Sequence, residues 1–438
     1  MTGPRELVRR VGRARRVGVA FGRIYLGIKG HQLLDRHLRP ADMDLRWHRL
    51  HREHARLLRR SALELRGLVL KGCQFLSARA DVLPPEYVET LSTLQDRVPP
   101  TPAERAVRLV EAELGRPLGE VFTRFHRRPL ASASLAQVHR AVLRDGREVA
   151  VKVQHPGIEE LVRADLASLR VLFGAVERIE GSLALTPLFD EIAEAIPTEL
   201  DFRAEARHAE RLRELFAGRA DVVIPEIVHE LSTRRVLVLE YLPGIKITDL
   251  PALEAAGVDP ARVARLLAEV FAEQILRFGF FHADPHPGNL LVLPDGPRLA
   301  LVDFGLAKEL PPGFRDDLAA FVFALLRGDS GAMAAALVRL GFETRDGGPD
   351  SLDEVARRVL ALAVRARDRA HLDPDFVDAA RREIAEVLRR NPVVRIPGHL
   401  VLVGRVLGLL SGVSRSLGSR VDLVRTLLPY AAPPPPGS

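Results

Sequence analysis

The amino-acid sequence predicts an α+β fold in which a helical extension precedes a β-rich segment and a second, mainly helical segment. Apolar residues recur at helical spacing from Asp42 to about Phe125, and strand patterns begin near Arg127. From Asp259 onward the chain is mainly helical again, apart from one short hairpin. We expect a basic N-terminal segment, the helical extension, a β-rich lobe, a helical lobe and a disordered proline-rich tail, with bounds 1–30, 31–125, 126–245, 246–430 and 431–438.

The composition is that of a globular protein. The chain has 438 residues, of which 47% are hydrophobic and 28% charged, enough for a large core and two or three domains. Its single cysteine, Cys73, excludes an intramolecular disulfide and a cysteine zinc site. A reducing, intracellular setting therefore fits the sequence best.

Positive charge is concentrated at the N-terminus. The first 60 residues contain 16 Lys and Arg against 5 Asp and Glu, although the net charge of the whole chain is only +7. Within residues 1–30, arginines are interspersed with apolar residues, which favours either an amphipathic helix on anionic lipid or a solvated tail. Nucleic-acid binding is not expected, because neither aromatic interleaving nor a recognised nucleic-acid-binding fold accompanies the charge.

The sequence contains no evident secretory signal or membrane span. The N-terminal residues are not followed by an uninterrupted apolar segment with a cleavage site. The apolar tract His399–Val413 is too short to span a bilayer and is interrupted by Arg405. We expect this tract to be a core helix, with a shallow interfacial contact as the alternative, and the protein to be cytoplasmic or peripheral to the inner face of the cell membrane.

Three helices are expected in the extension. The first covers Leu57–Ala80 and the second Glu86–Leu94, each bounded by prolines. Thr101 and Glu104 match a capping box for a third helix that ends at Leu114.

The β-rich lobe begins with a predicted hairpin, Leu135–Leu143 and Glu148–Gln154, which turns at Asp145-Gly146. Two helices and two strands follow it, predicted at Glu159–Glu180, Leu188–Phe216, Ile224–Glu230 and Arg235–Leu242.

The most informative stretch runs from Phe281 to Ala307. Asp284 is followed five residues later by Asn289, and then by Asp303-Phe304-Gly305 after a predicted hairpin, Leu290–Leu293 and Arg298–Val302. This is the spacing of a kinase catalytic loop and a metal-binding DFG. Asp284 would orient or deprotonate the attacking group, while Asn289 and Asp303 would hold Mg²⁺ against nucleotide phosphates. A metal site at His282 and His286 is disfavoured, because Mg²⁺ prefers oxygen ligands.

A nucleotide site is also predicted from the β-rich lobe. Lys152, in VAVKV, has the position of the kinase lysine that contacts the α and β phosphates. Upstream, the glycine positions of the kinase phosphate loop are occupied by Ala131, Ala133 and Ala136, and the valine position by Val138. Because alanine restricts the backbone and adds methyl groups, we expect an altered nucleotide preference or a restrained γ-phosphoryl transfer. Backbone groups between Glu240 and Leu242 are candidates for binding adenine.

Because it contains these motifs, the chain resembles the UbiB (ADCK-type) family of atypical protein-kinase-like proteins over nearly all of residues 30–420. The resemblance rests on ASASLAQVH at 131–139, VAVKVQHPG at 149–157, ELDFRAEA at 199–206, HADPHPGN at 282–289 and the DFG. It implies a bilobal protein-kinase-like fold, binding of ATP or ADP, and Mg²⁺.

The resemblance also assigns roles to residues outside the kinase motifs. The family's K-x-G-Q motif, which folds over the active site and blocks protein substrates, corresponds to Lys71 and Gln74, with Cys73 in place of the family glycine. Glu199 and Asp201 match an E-x-D motif that faces the phosphates and metal, and Glu205 matches the glutamate that pairs with the strand lysine. Asp201 and Glu205 would share one face if the segment is helical.

The resemblance implies an ATPase or phosphotransferase that supports isoprenoid quinone biosynthesis or lipid homeostasis at an anionic membrane, with a lipid or quinone precursor as partner. A nucleotide-binding pseudokinase scaffold is the main alternative. A Ser/Thr protein kinase is disfavoured, because residues 303–329 contain no Ser, Thr or Tyr and no Ala-Pro-Glu motif. The phosphoryl acceptor and the oligomeric state stay open at this point.

Overall fold

The structure, a computed structural model, describes most of the chain. The described residues are 4–38, 42–77, 83–94, 100–180, 189–190, 193, 199–294, 296–344, 349–367, 393–395, 397–419, 426 and 429–430. The predicted tail at 431–438 lies outside them. The chain divides into two compact units, the first of Met1–Ala206 with Glu226–Tyr241 and the second of Arg207–Pro225 with Leu242–Ser438.

The first unit begins with the helical extension. Its helices are α1 (Pro4–Leu38), α2 (Met43–Leu65), α3 (Gly67–Ser77), α4 (Pro85–Ser92), α5 (Ala103–Leu114) and the short α6 (Leu118–Val121). Val17 and Ala20 of α1 are buried. The described part of the basic N-terminal segment is therefore a packed helix, and not a solvated tail.

The prediction of one continuous helix over Leu57–Ala80 is wrong, because the chain breaks at Arg66. Arg66 has a φ of 54° and Gly67 a φ of 58°, so α2 ends at Leu65 and α3 begins at Gly67. The carbonyls of Leu65 and Arg66, released from the helix, accept hydrogen bonds from the guanidinium of Arg13 in α1. This contact between distant segments stabilises the break.

Helix α4 begins at Pro85, where a first-turn proline costs no hydrogen bond, and lies close to the predicted Glu86–Leu94. The predicted capping box of α5 is wrong: Pro102 is the N-cap residue and no side chain caps the helix. The Thr101 hydroxyl instead hydrogen-bonds Nδ1 of His155 at 2.9 Å. The C-terminal end at Leu114 agrees with the prediction.

The described strands of the first unit form a five-stranded antiparallel sheet. Its strands are β1 (Phe122–Phe125), β2 (Ala131–Ser132), β3 (Ala136–Leu143), β4 (Glu148–Gln154) and β6 (Val236–Glu240), in the order β1-β3-β4-β6 with β2 on β3. The predicted hairpin is confirmed, with β3 starting one residue late. Lys152 lies in β4 between Val138 of β3 and Leu237 of β6.

The segment between β4 and β6 agrees only in part with the prediction. Helix α7 (Ile158–Glu180) is confirmed. Of the predicted helix Leu188–Phe216, α8 covers Phe202–Leu215, and many earlier residues lie outside the described part. The predicted strand Ile224–Glu230 is wrong, because Pro225 has no N–H to donate to a sheet; only a bridge from Ile227 to Leu239 and a 3₁₀ turn, His229–Leu231, are present.

The second unit is mainly helical. Its helices are α9 (Leu250–Ala255), α10 (Pro260–Ala272), α11 (Phe314–Arg327), α12 (Ser330–Arg339), α13 (Pro349–Arg367) and α14 (Gly398–Ser416). Its strands are β5 (Val222–Val223), β7 (Ile245–Lys246), β8 (Phe280–His282), β9 (Leu290–Leu293), β10 (Arg298–Leu301), β11 (Ala307–Glu309), β12 (Glu343–Thr344) and β13 (Val393–Arg395). They pair as β5-β10-β9-β7, β8-β11 and β12-β13, and the predicted β9–β10 hairpin is confirmed.

The apolar tract near the C-terminus is a core helix, as predicted. Val403, Val406, Leu410 and Val413 of α14 are each at most 4% exposed. None of the helices that the structure describes is both long and apolar enough to cross a membrane.

Candidate active site

In the first unit, Lys152 and Glu205 form a nearly buried ion pair. The Nζ of Lys152 donates to both carboxylate oxygens of Glu205, at 2.6 and 2.9 Å, and the two side chains are 12% and 5% exposed. Lys152 is presented by the middle of β4 and Glu205 by the first turn of α8. The lysine and the glutamate that the sequence paired are therefore in direct contact.

The alanine-rich loop is a tight turn between β2 and β3. The N–H of Ala133 donates to the carbonyl of Ala136 at 2.8 Å, and Ala131 pairs with Val138. Its alanines all have negative φ, since Arg66 is the only described non-glycine residue with positive φ. The backbone of this turn therefore does not require glycine, and the alanines sit there without strain.

The tip of the loop is anchored to the extension. Leu135 is 7% exposed and belongs to the same hydrophobic cluster as Leu68, Leu70 and Cys73 of α3. Beside it, Nε2 of His155 donates to the carbonyl of Ala133 at 3.0 Å. The loop is thus fixed by packing at its tip and by a hydrogen bond at its base.

The K-x-G-Q-like segment lies in α3. Nζ of Lys71 is 2.6 Å from Oε2 of Glu199, and both side chains are mostly buried. Cys73, which replaces the family glycine, is 4% exposed, and burial raises the pKa of its thiol to about 12. Close packing at Cys73 is therefore achieved with the larger side chain. The side chain of Gln74 lies outside the described part of the structure.

The premise that Asp201 and Glu205 share a helical face is wrong, because α8 starts at Phe202. Asp201 precedes the helix, and its carboxylate accepts hydrogen bonds from the N–H and the guanidinium of Arg203, at 2.8–3.1 Å. Those bonds lower the pKa of Asp201. The carboxylate is ionised and held at the N-terminus of α8.

The predicted adenine-binding stretch is partly occupied by its own sheet. The N–H of Glu240 donates to the carbonyl of Glu226 at 2.8 Å, and that of Tyr241 to the carbonyl of Glu148 at 3.1 Å. The N–H of Leu242 has no hydrogen-bond acceptor among the described residues. Leu242 therefore has the better candidate donor for a base.

In the second unit, two strand pairs fix the separation of Asp284, Asn289 and Asp303. The β9–β10 hairpin lies between Asn289 and Asp303, closed by a hydrogen bond from the N–H of Val302 to the carbonyl of Asn289 at 3.2 Å. Strands β8 and β11 pair just outside the motif, and the N–H of Ala283 donates to the carbonyl of Leu306 at 2.7 Å. The spacing in sequence becomes a fixed geometry in space.

His282 links Asp284 to Asp303. Its Nδ1 accepts the N–H of Asp284 at 3.1 Å, and its Nε2 donates to the carbonyl of Asp303. Burial lowers the pKa of His282, which keeps the ring neutral and allows one nitrogen to accept while the other donates. His282 is thus a positioning residue, a role that the sequence did not suggest.

A π-helical turn supports this histidine. The turn covers Glu273–Phe278 and ends at Gly279, whose φ is 64°. Gln274 in the turn is fully buried, and its Oε1 accepts the N–H of His282 at 2.8 Å. Such turns inside helices often occur at functional sites.

Asn289 and Asp303 have the chemistry of a partial Mg²⁺ site. Nδ2 of Asn289 donates to the carbonyl of Asp284 at 3.2 Å, which leaves its Oδ1 as an oxygen ligand. Oδ1 of Asp303 accepts the N–H of Gly305 at 3.1 Å, and the side chain is half-buried. No group of three or more His, Cys, Asp or Glu in the described part of the chain could hold a metal alone. These two residues fit Mg²⁺ if phosphate and water oxygens complete its shell.

The carboxylate of Asp284 is bound by an arginine that sequence reasoning missed. Nη2 of Arg405, in α14, lies 2.8 Å from Oδ1 of Asp284. The available signal in the sequence was a single charged residue within the apolar tract His399–Val413.

These features define a protein-kinase-like protein: the lysine–glutamate pair, the Asp and Asn of the catalytic loop, and the DFG that follows a hairpin. A family model described as the ABC1 atypical kinase-like domain matches residues 93–337. The chain belongs to this family, and its relatives include proteins named UbiB. The family and the fold class predicted from the sequence are confirmed.

Individual relatives agree with this assignment. The chain is 36% identical to "Probable protein kinase UbiB" of Marinobacter nauticus, over 85% of this chain and 68% of that protein. It is 33% identical to "Protein ACTIVITY OF BC1 COMPLEX KINASE 8, chloroplastic" of Arabidopsis thaliana, over 86% of this chain but only 53% of the plant protein. A solved structure of an Rv3197–erythromycin complex from Mycobacterium tuberculosis is 28% identical, with a TM-score of 0.61, covering 84% of this chain and 94% of that one.

Proposed function

We propose that the protein is a Mg²⁺-dependent ATPase or phosphotransferase of the UbiB type that acts on or near a membrane lipid or a quinone precursor. The hydrogen-bonded arrangement of Asp284, His282 and Asp303 carries the proposal, because the buried histidine joins the backbone N–H of Asp284 to the backbone carbonyl of Asp303 and so fixes the two positions from which the carboxylates project. Membership of the kinase-like family adds nucleotide use in general terms.

Each residue then has a role in handling the nucleotide. Lys152, oriented by Glu205, contacts the α and β phosphates, and the turn from Ala131 to Ala136 lies over them. The N–H of Leu242 is the candidate donor to adenine. Asp284 orients the attacking hydroxyl or water and takes up its proton.

The metal would be held by Oδ1 of Asn289 and the carboxylate of Asp303. When bound, Mg²⁺ neutralises charge on the phosphate oxygens. The described residues contribute the remainder of the site by holding these two oxygens at a fixed separation through the β9–β10 hairpin.

The extension favours a small-molecule or lipid acceptor over a protein. The nearly buried contact between Lys71 and Glu199 ties α3 to the segment that precedes α8. Since the loop tip at Leu135 packs in the same cluster as α3, the extension and the phosphate loop are held together within the first unit. An acceptor would have to reach the nucleotide without displacing α3, which suits a small group better than a polypeptide.

Association with anionic membrane is proposed from one face of α1. Val19, Leu26 and Leu33 are spaced seven residues apart, which places them on one face of the helix, and they are 55%, 69% and 61% exposed. Exposed arginines accompany them at Arg15 and Arg23. Apolar side chains flanked by arginine suit the interface of an anionic bilayer.

The test measures Mg²⁺-dependent ATP turnover with and without anionic liposomes, with Asp303→Asn as the blank. We expect liposomes to stimulate turnover and Asp303→Asn to abolish it. Nucleotide binding without turnover in either condition would favour the scaffold alternative. Robust phosphorylation of an added protein would favour a protein kinase.

The membrane contact is tested separately by vesicle sedimentation. The triple variant Val19→Ser, Leu26→Ser, Leu33→Ser should lose binding to vesicles that contain anionic lipid. Val171→Ser is the matched control, because this exposed apolar residue, 74% exposed, lies on α7. Equal binding by the triple variant and the control would refute the contact.

A further inference from the structure

Arg405 is an unusual residue for its position. It lies in α14, whose neighbouring positions Val403 and Val406 are 4% and 0% exposed, and its own side chain is 8% exposed. Burying a guanidinium is costly unless it is paired, and Arg405 is paired through Nη2 with Oδ1 of Asp284 at 2.8 Å.

Stability alone does not account for this pair. Replacing both members of a buried ion pair with apolar residues is often neutral or stabilising, so packing of α14 does not by itself require an ion pair at this position. The helix already has Leu410 and Val413 in the core. The carboxylate that Arg405 binds is also the candidate catalytic carboxylate, Asp284, whose side chain is 23% exposed.

The guanidinium retains unused donors. A guanidinium has five N–H groups, and one hydrogen bond from the Arg405 side chain is present among the described residues. Some described side-chain atoms are sealed from solvent and lack a hydrogen-bond partner, but no nitrogen of Arg405 is one of them. Its remaining N–H groups belong to the same rigid plane as the group that binds Asp284.

We propose that Arg405 is a further catalytic residue, whose free N–H groups contact the phosphoryl group while it is transferred. The inference rests on the proposed function. Asp284 holds the nucleophile in line with the γ-phosphorus, so a guanidinium bonded to its carboxylate lies next to the γ-phosphoryl oxygens.

In the step itself, the nucleophile oxygen forms a bond to the γ-phosphorus as the bond to the β–γ bridging oxygen breaks. The electron pair of that bond stays on ADP, and the proton of the nucleophile passes to the carboxylate of Asp284. Arg405 keeps its protons and stabilises the negative charge that spreads over the γ-phosphoryl oxygens.

The experiment compares Arg405→Met and Arg405→Lys with Arg415→Met, an exposed arginine of the same helix, as the control. Measurements are kcat for Mg·ATP turnover, Kd for Mg·ADP by calorimetry, and thermal unfolding. Arg405→Met should lower kcat by about 10²–10³-fold and leave Kd for ADP within about twofold, because ADP lacks the γ-phosphoryl group. Arg405→Lys should retain part of kcat, and Arg415→Met should match the wild type.

Two results would overturn the proposal while leaving the proposed function intact. The first is a kcat for Arg405→Met that is unchanged or raised. The second is that both Arg405 variants lose ADP binding and thermal stability in parallel with activity. Absence of Mg·ATP binding and turnover by the wild-type chain would instead overturn the proposed function, and the role of Arg405 with it.

Discussion

The Lys152–Glu205 pair allows stability and nucleotide binding to be separated. The perturbation is a double-mutant cycle of Lys152→Met, Glu205→Leu and the double variant. The two side chains are 12% and 5% exposed, so either single change removes one charge of a nearly buried ion pair. Loss of one partner of a buried ion pair lowers the free energy of unfolding by about 3–5 kcal/mol. Because Lys152 is slightly exposed, we expect a loss of about 3 kcal/mol in each single variant.

The double variant removes both charges and keeps apolar side chains of similar length. We expect its free energy of unfolding to lie within about 1 kcal/mol of the wild type, since apolar replacement of a whole buried pair is often neutral. Binding of ATP should be weakened in all three variants, because each loses the lysine or its orientation. Stability would thus be restored without function.

The assay uses the single tryptophan of the chain, Trp47, which lies in α2 of the first unit. Its fluorescence during urea unfolding reports on the unit that contains the pair. Arg127→Ala is the control, because the Arg127–Glu104 pair is 69% and 60% exposed and should contribute less than about 1 kcal/mol. A double variant as unstable as the sum of the single variants would refute the reasoning.

Three further predictions concern the first unit. Cys73 should resist thiol reagents in the native state, because burial raises the pKa of its thiol to about 12, and rapid labelling of the native protein would contradict this. Cys73→Gly should lower the free energy of unfolding by about 2 kcal/mol, because it removes a packed side chain and places a glycine within α3. Burial lowers the pKa of His155 below its usual 6.5, so the free energy of unfolding should be highest above pH 6.5 and should fall as the pH drops below that value. His155→Gln should make the urea midpoint reported by Trp47 less dependent on pH, and an unchanged pH profile in this variant would contradict the prediction. Substituting glycine at all three of Ala131, Ala133 and Ala136 should change the ratio of ATP to ADP affinity measured by calorimetry, because the fixed turn becomes flexible; an unchanged ratio would reject the hypothesis about this loop.

Local motifs could be predicted from the sequence because a few neighbouring residues fix them. The β3–β4 hairpin depends on alternating apolar residues and a turn at Asp145-Gly146, and the structure reproduces it to within one residue. The β9–β10 hairpin was equally predictable. In both cases the information lies within about 20 residues of sequence.

The errors arise where a distant segment decides the local structure. The break at Arg66 depends on Arg13, some 50 residues earlier, which binds the carbonyls that a continuous helix would use. The capping box failed because the Thr101 hydroxyl finds His155 instead. Arg405 contacts a carboxylate 121 residues away, a distance at which periodicity carries no information.

The alanine-rich loop shows how the extension and the nucleotide chemistry are related. In a glycine-rich loop, backbone freedom lets the turn adapt to phosphates, and the extra entropy must be lost on binding. Here the turn needs no positive φ, and its tip, Leu135, lies in the same hydrophobic cluster as Cys73 of the extension. The alanines and the burial of Leu135 both favour one fixed position of the loop. A loop held in this way before nucleotide arrives would bind with a smaller entropic cost, but it could not follow the γ-phosphoryl group during transfer. Slow turnover with tight nucleotide binding is the behaviour that this arrangement favours.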